Sequence, residues 1–182
     1  MPWTSIVAAS VIFNMTTTRI IARRAVLIAT IVILSVGLDQ VTKAIAVDLL
    51  KGLPKISYLG DIFRWQYAEN SGGFLSLGSE LPPVIKFILM RILPLLGLSV
   101  ILTYTLITPL PTLTTVLLSL LCGGGLSNLV DRLANSGQVV DFMNMGIGSL
   151  RTGIFNVADV LIMIGGIGMV VVYLKPSSKS TV

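Results

Sequence analysis

The chain has 182 residues, 54% of them hydrophobic and only 12% charged, and its mean hydropathy is +0.92. This composition excludes a soluble globular domain and describes an integral membrane protein with room for about four spans. The net charge of +5 is spread along the chain, which fits orientation in a membrane and not nucleic-acid binding. With no histidine and a single cysteine, Cys122, there is no internal disulfide, a Ser–His or Cys–His apparatus is excluded, and a zinc site lacks its usual histidine and cysteine ligands. Any catalysis falls to carboxylates, lysine, hydroxyls or backbone, with no metal and no cofactor.

Residues 1–24 read as a cytoplasmic N-terminal extension. Its apolar stretch, Ser5 to Met15, lies before the arginines and lacks a small-residue cleavage site, so it reads as a frayed or interfacial extension and not as a secretory signal. Only fourteen uncharged residues separate Arg24 from Asp39, fewer than the roughly 20 a spanning helix needs. The first span therefore runs from about residue 25 to 47 and carries Asp39, Gln40 and Lys43 in its outer part. Asp39 and Lys43 are four apart on one helix face, where an ion pair can form.

Residues 48–82 form an outer segment. Phe63, Trp65 and Tyr67 alternate with Arg64 and Gln66, the period of a strand with one apolar face, suited to the membrane interface or to packing on helix ends. The segment ends in a turn, Asn70-Ser71-Gly72-Gly73, whose glycines allow close backbone approach.

From Ile92 to Val130 no charge appears in 39 residues, and Pro109 and Pro111 divide this run. The spacing predicts a hairpin of two spans, about 83–108 and 112–130. Gly123, Gly124 and Gly125 in the second favour close helix packing over substrate contact. Asn128 and Arg132 share a face at its outer end, and Asp131 reads as a helix-end ion pair with Arg132. Asp141 follows in a loop. The last span, about 154–174, holds Asn156 and Asp159 in its first turns, and residues 176–182 form a cytoplasmic tail.

Arginines before the first span and lysines after the last place both termini in the cytoplasm. Asp39, Asp131, Asp141 and Asp159 then gather at the outer face. The expected fold is an all-α membrane protein in which residues 25–175 form one domain of four transmembrane helices, with a small extracytoplasmic β-type segment.

Ionisable groups at the edge of hydrocarbon are costly and point to function. Two carboxylates in a semi-dry site share one proton near neutral pH. The ionised member can then deprotonate water while its neighbour donates to a scissile carbonyl, the division of labour in aspartic proteases. The residues alone leave three readings open: a membrane aspartyl hydrolase, a small ion- or proton-coupled transporter, and a structural or assembly role.

Five ordered motifs carry a family resemblance: Asp39-Gln40-Val41-Thr42-Lys43, Asn70-Ser71-Gly72, Asn128-Leu129-Val130-Asp131-Arg132, Val140-Asp141-Phe142 and Asn156-Val157-Ala158-Asp159. Over roughly residues 25–175 the chain resembles bacterial lipoprotein signal peptidase, signal peptidase II. The resemblance implies a four-helix aspartyl endopeptidase of the bacterial cytoplasmic (inner) membrane with its active site near the outer face. It implies removal of signal peptides from prolipoproteins just before the diacylglyceryl-modified cysteine. The implied catalytic dyad is Asp141 and Asp159, supported by Asp39, Lys43, Asn70, Gly72, Asn128, Arg132, Asn156 and Ala158. The implied partners are lipid-modified prolipoproteins, membrane lipid and inhibitors of the globomycin type; a monomer is the default expectation and does not come from the resemblance. One departure stands out: after Gly73 a phenylalanine, Phe74, arrives one place earlier than the family pattern, which bears on the loop over the substrate groove.

Overall fold

A computed structural model describes residues 3–73 and 76–175, so the expected tail 176–182 and the departure at Phe74 lie outside the described residues. Four helices carry the fold: α1 (Trp3–Leu50), α2 (Pro83–Ile107), α3 (Thr112–Ala134) and α4 (Val157–Leu174). Each holds a stretch long and apolar enough to cross a membrane. A sheet of strands β1 (Ile56–Tyr58), β2 (Phe63–Asn70), β3 (Val139–Ile147) and β4 (Leu150–Arg151) caps one end of the bundle in the order β1-β2-β3-β4, all pairs antiparallel. The architecture is the expected one: a four-helix membrane protein with a small β-type segment.

The helices differ in detail from expectation. Helix α1 runs unbroken from Trp3, so the extension expected to be frayed or interfacial is helical and continuous with the first span. Inside α2, residues Ile88–Ile92 form a π-helical turn. Pro94 follows it, and a proline cannot donate to the carbonyl one turn back, so the helix widens there instead of breaking. Helix α3 continues one turn past the expected end at Val130, which carries Asp131 and Arg132 on helical backbone.

Helix α3 is the hub of the bundle. Its three consecutive glycines each meet a different neighbour: a Cβ on Gly123 would lie 2.5 Å from the Ser35 side chain of α1, one on Gly124 would strike the Ala158 carbonyl of α4, and one on Gly125 would lie 2.7 Å from Leu98 of α2. Successive helical residues point about 100° apart, so three small residues in a row open three flanks at once. Helix α4 answers with Gly165, where a Cβ would sit 2.6 Å from the Leu117 carbonyl. The packing reading of these glycines therefore holds.

The sheet closes over the bundle end. Phe142 of β3 is buried with Ala46 and Leu50 of α1, and Trp65, Tyr67, Met143 and Val157 pack around that cluster. Trp65 lies parallel to Phe142 with ring centroids 5.9 Å apart and meets Phe63 edge-on at 4.9 Å. The aromatic face read from β2 thus packs on a helix end. The pairing of β2 with β3 shifts register between Trp65 and Ala68, a bulge that brings Ala68 opposite Asp141. Asp141 accordingly sits in a strand and not in a loop; its segment is buried on both faces, so it lacks the alternation that marks a half-buried strand.

Candidate active site

The N-terminus of α4 organises the site. Asn156 is the N-cap: its side-chain oxygen accepts from the Asp159 N–H at 2.9 Å, and the Asp159 carboxylate accepts in return from the Asn156 N–H at 3.2 Å. This is a capping box built from Asn and Asp. Sequence spacing had put Asn156 and Asp159 on one helix face; in the structure they are joined across the helix start, with Asn156 in extended backbone. The extended cap leaves the Asn156 amide free to reach outward, and its Nδ2 donates to Asp141 Oδ1 at 2.6 Å. One asparagine therefore touches both carboxylates.

Asp141 is delivered by β3. Backbone hydrogen bonds between Met143 and Phe155 tie that strand to the segment leading into α4. The second carboxylate oxygen of Asp141 accepts from Asn70 Nδ2 at 3.1 Å. Asp159 Oδ1 accepts from Asn128 Nδ2 at 2.9 Å. Among the described residues, no cation is paired directly with either carboxylate. Burial, with the Asp159 charge nearby, pushes the Asp141 carboxyl up to about 7, while the amides of Asn70 and Asn156 oppose the rise.

The buried charges lie one shell behind. Lys43 Nζ sits 2.6 Å from Asp39, 2.9 Å from Asp131 and 2.9 Å from the Asn128 amide oxygen. The i,i+4 pair expected of Asp39 and Lys43 is present. Asp39 is fully buried, and it also accepts from Ser127 Oγ at 2.7 Å and from the Ala158 N–H at 2.8 Å, so a carboxylate of α1 caps the first turn of α4.

Asp131 requires a correction. It does not pair with Arg132, because adjacent helical residues point apart. Asp131 accepts from Lys43, from Gln40 Nε2 at 2.7 Å and from the Val140 N–H at 3.0 Å, which pins β3 one residue before Asp141. Arg132 instead donates to the Gly72 carbonyl at 2.6 Å and the Gly137 carbonyl at 3.2 Å. The Gly72 N–H donates to Asn70 Oδ1 at 2.9 Å, and a Cβ on Gly72 would lie 2.5 Å from the Ser76 carbonyl oxygen. This turn admits no side chain at that position.

The ten residues singled out from sequence thus form one continuous network. It passes from Ala158 and Asp39 through Lys43, Asn128 and Asp159 to Asn156, Asp141, Asn70, Gly72 and Arg132. Sequence reasoning gave Gln40 and Ser127 no role and undervalued Asp131. Their common signal was a polar side chain inside an apolar span, which lipid does not tolerate without a partner.

The sequence model of a family described as Signal peptidase (SPase) II matches residues 31–175. The chain belongs to the signal peptidase II family. Curated lipoprotein signal peptidases are similar along most of their length: one from Borrelia duttonii is 31% identical over 79% of this chain and 86% of its own, and one from Treponema denticola is 34% identical over 72% and 79%. A solved bacterial membrane enzyme superposes with a TM-score of 0.72 at 27% identity, covering 84% of this chain and 90% of that one. As a signal peptidase II the protein is a membrane peptidase of the aspartic type, which displaces the transporter and assembly readings that composition had left open.

Proposed function

We propose that the protein cleaves lipid-modified prolipoproteins just before the diacylglyceryl-modified cysteine, with Asp141 and Asp159 as the catalytic dyad. The observation that carries this reading is the pair itself. Two carboxylates from different elements meet on one asparagine, held only by amides and a backbone N–H, with the buried cation kept behind them. In that setting the pair retains a single proton near neutral pH.

Asp159, at the positive end of α4, is the ionised member and takes a proton from water. Asp141 carries the shared proton and donates it to the scissile carbonyl oxygen as the water oxygen bonds to carbon. On collapse the C–N bond breaks, the nitrogen takes the proton held by Asp159, and the tetrahedral hydroxyl returns its proton to Asp141. Asn128 and Asn156 position the two carboxylates. Arg132 fixes the Gly72 turn that borders the substrate.

The dyad faces the outer side of the bacterial cytoplasmic membrane and both termini face the cytoplasm, a topology supported by Arg19, Arg23 and Arg24 in α1 before the first span and by the lysine that follows α4. Globomycin-type peptides compete for the substrate position, and the enzyme acts as a monomer.

The test is a gel-shift assay of a lipid-modified precursor, with and without globomycin. Asp141→Asn and Asp159→Asn are expected to insert normally and to lose cleavage entirely. Full cleavage by either purified variant would end the dyad assignment.

A further inference from the structure

An apolar cavity of about 330 Å³ lies behind the sheet, on the side away from the dyad. Its walls are Ile45 and Leu49 of α1, Ile56 and Tyr58 of β1, Trp65 of β2 and Phe142 of β3. Consecutive strand residues point to opposite faces, so Phe142 backs onto this cavity while Asp141 turns toward Asn70 and Asn156. The Thr42 hydroxyl at its edge is turned to the helix, donating to the Leu38 and Asp39 carbonyls, and makes no polar demand on the space. Ile45, Leu49, Ile56 and Tyr58 are each more than a third exposed, so the space is an open apolar groove, and beside a bilayer hydrocarbon fills such a groove more readily than water.

The outer surface of α1 indicates the source of that hydrocarbon. Leu34, Leu38, Val41, Ile45 and Leu49 are each more than half exposed and recur at spacings of three and four, one continuous stripe on the helix. This lipid-facing stripe runs into the cavity and supplies two of its walls. We propose that the cavity is a binding site for one acyl chain of a membrane phospholipid, which packs beneath β1 and β2 and supports, through Phe142, the strand that carries Asp141.

Trp65 is a built-in reporter, since the chain has only one other tryptophan, Trp3. In the Trp3→Phe protein in detergent, without substrate, titration with a phospholipid brominated in its acyl chain is expected to quench more than half of the Trp65 fluorescence and to saturate. Ile45→Phe with Leu49→Phe, which fills the cavity with protein, is expected to abolish the saturable part. Ile56→Phe serves the same purpose from the opposite wall should that pair not fold. Quenching that rises without saturation and is matched by a tryptophan placed at the lipid-facing Tyr104 would overturn the proposal. So would quenching that appears only when the bromine is carried on the acyl chain of a prolipoprotein.

Discussion

Asp39, Asp131, Asp141 and Asp159 are chemically identical, and the structure separates them by what each accepts. Asp39 and Asp131 share the ammonium of Lys43, whereas Asp141 and Asp159 receive only neutral donors. Removing charge from water is costly unless it is paired, so the first two are compensated by a buried cation and the second two are not. The pH consequence follows for Asp141, whose carboxyl is raised to about 7 by burial first and by Asp159 second. A carboxyl raised on folding binds its proton more tightly in the native state. Its stabilising share is complete below the ordinary carboxylate range and is lost as pH rises through about 7. Thermal unfolding in detergent is therefore expected to show stability falling between pH 5 and 8, and Asp141→Asn is expected to flatten that slope. Turnover by the native enzyme is expected to decline above about pH 7, where the shared proton is lost. The residue types were legible in sequence because ionisable groups stand out in apolar text. The partner of Asp131 was not, because Lys43 and Val140 reach it from elements distant along the chain.

At the scale of elements, glycine spacing and strand burial set what could be read. The proline break and the uncharged runs marked where the four long apolar helices lie, since those signals are local. Strand β3 escaped because nearly all of Val139 to Asn144 is buried, so no polar alternation marks it. The N-cap role of Asn156 escaped because spacing alone does not say where a helix begins. The contact between α3 and α4 offers a matched test. A leucine at Gly165 would meet the Leu117 carbonyl and the Leu121 side chain, whereas Gly166 has nothing within 4 Å. Gly165→Leu is expected to lower stability by about 1–3 kcal/mol or more and to reduce cleavage, because overpacking at that seam displaces the helix that carries Asp159. Gly166→Leu is expected to unfold and cleave like the native enzyme. Equal behaviour of the two variants would show that the seam does not set the position of Asp159.

At the scale of the whole molecule, the fold gathers its buried charges at one end of the bundle, while the other buried polar side chains of the helices are hydroxyls such as Thr105, Thr115 and Ser119. Topology was inferred from flanking charges, and it is directly measurable. In a Cys122→Ser background, a cysteine at Leu59 in the β1–β2 turn is expected to react with a membrane-impermeant thiol reagent in intact cells. A cysteine at Leu110 between α2 and α3 is expected to react only after the membrane is opened. The reverse pattern would invert the orientation and move Asp141 and Asp159 to the other face. The hub position of α3 also bears on how the protein is made. Helices α1 and α2 leave the ribosome first, yet each finds its main packing partner in α3, and the Asp159 side of the network belongs to α4. Until α3 is inserted, α1 and α2 lack their main packing partner, and Lys43 lacks Asp131 and Asn128. Capping of α4 by Asp39 and Asn156 coincides with arrival of Asp159, so no chain truncated before α4 brings Asp141 and Asp159 onto one asparagine.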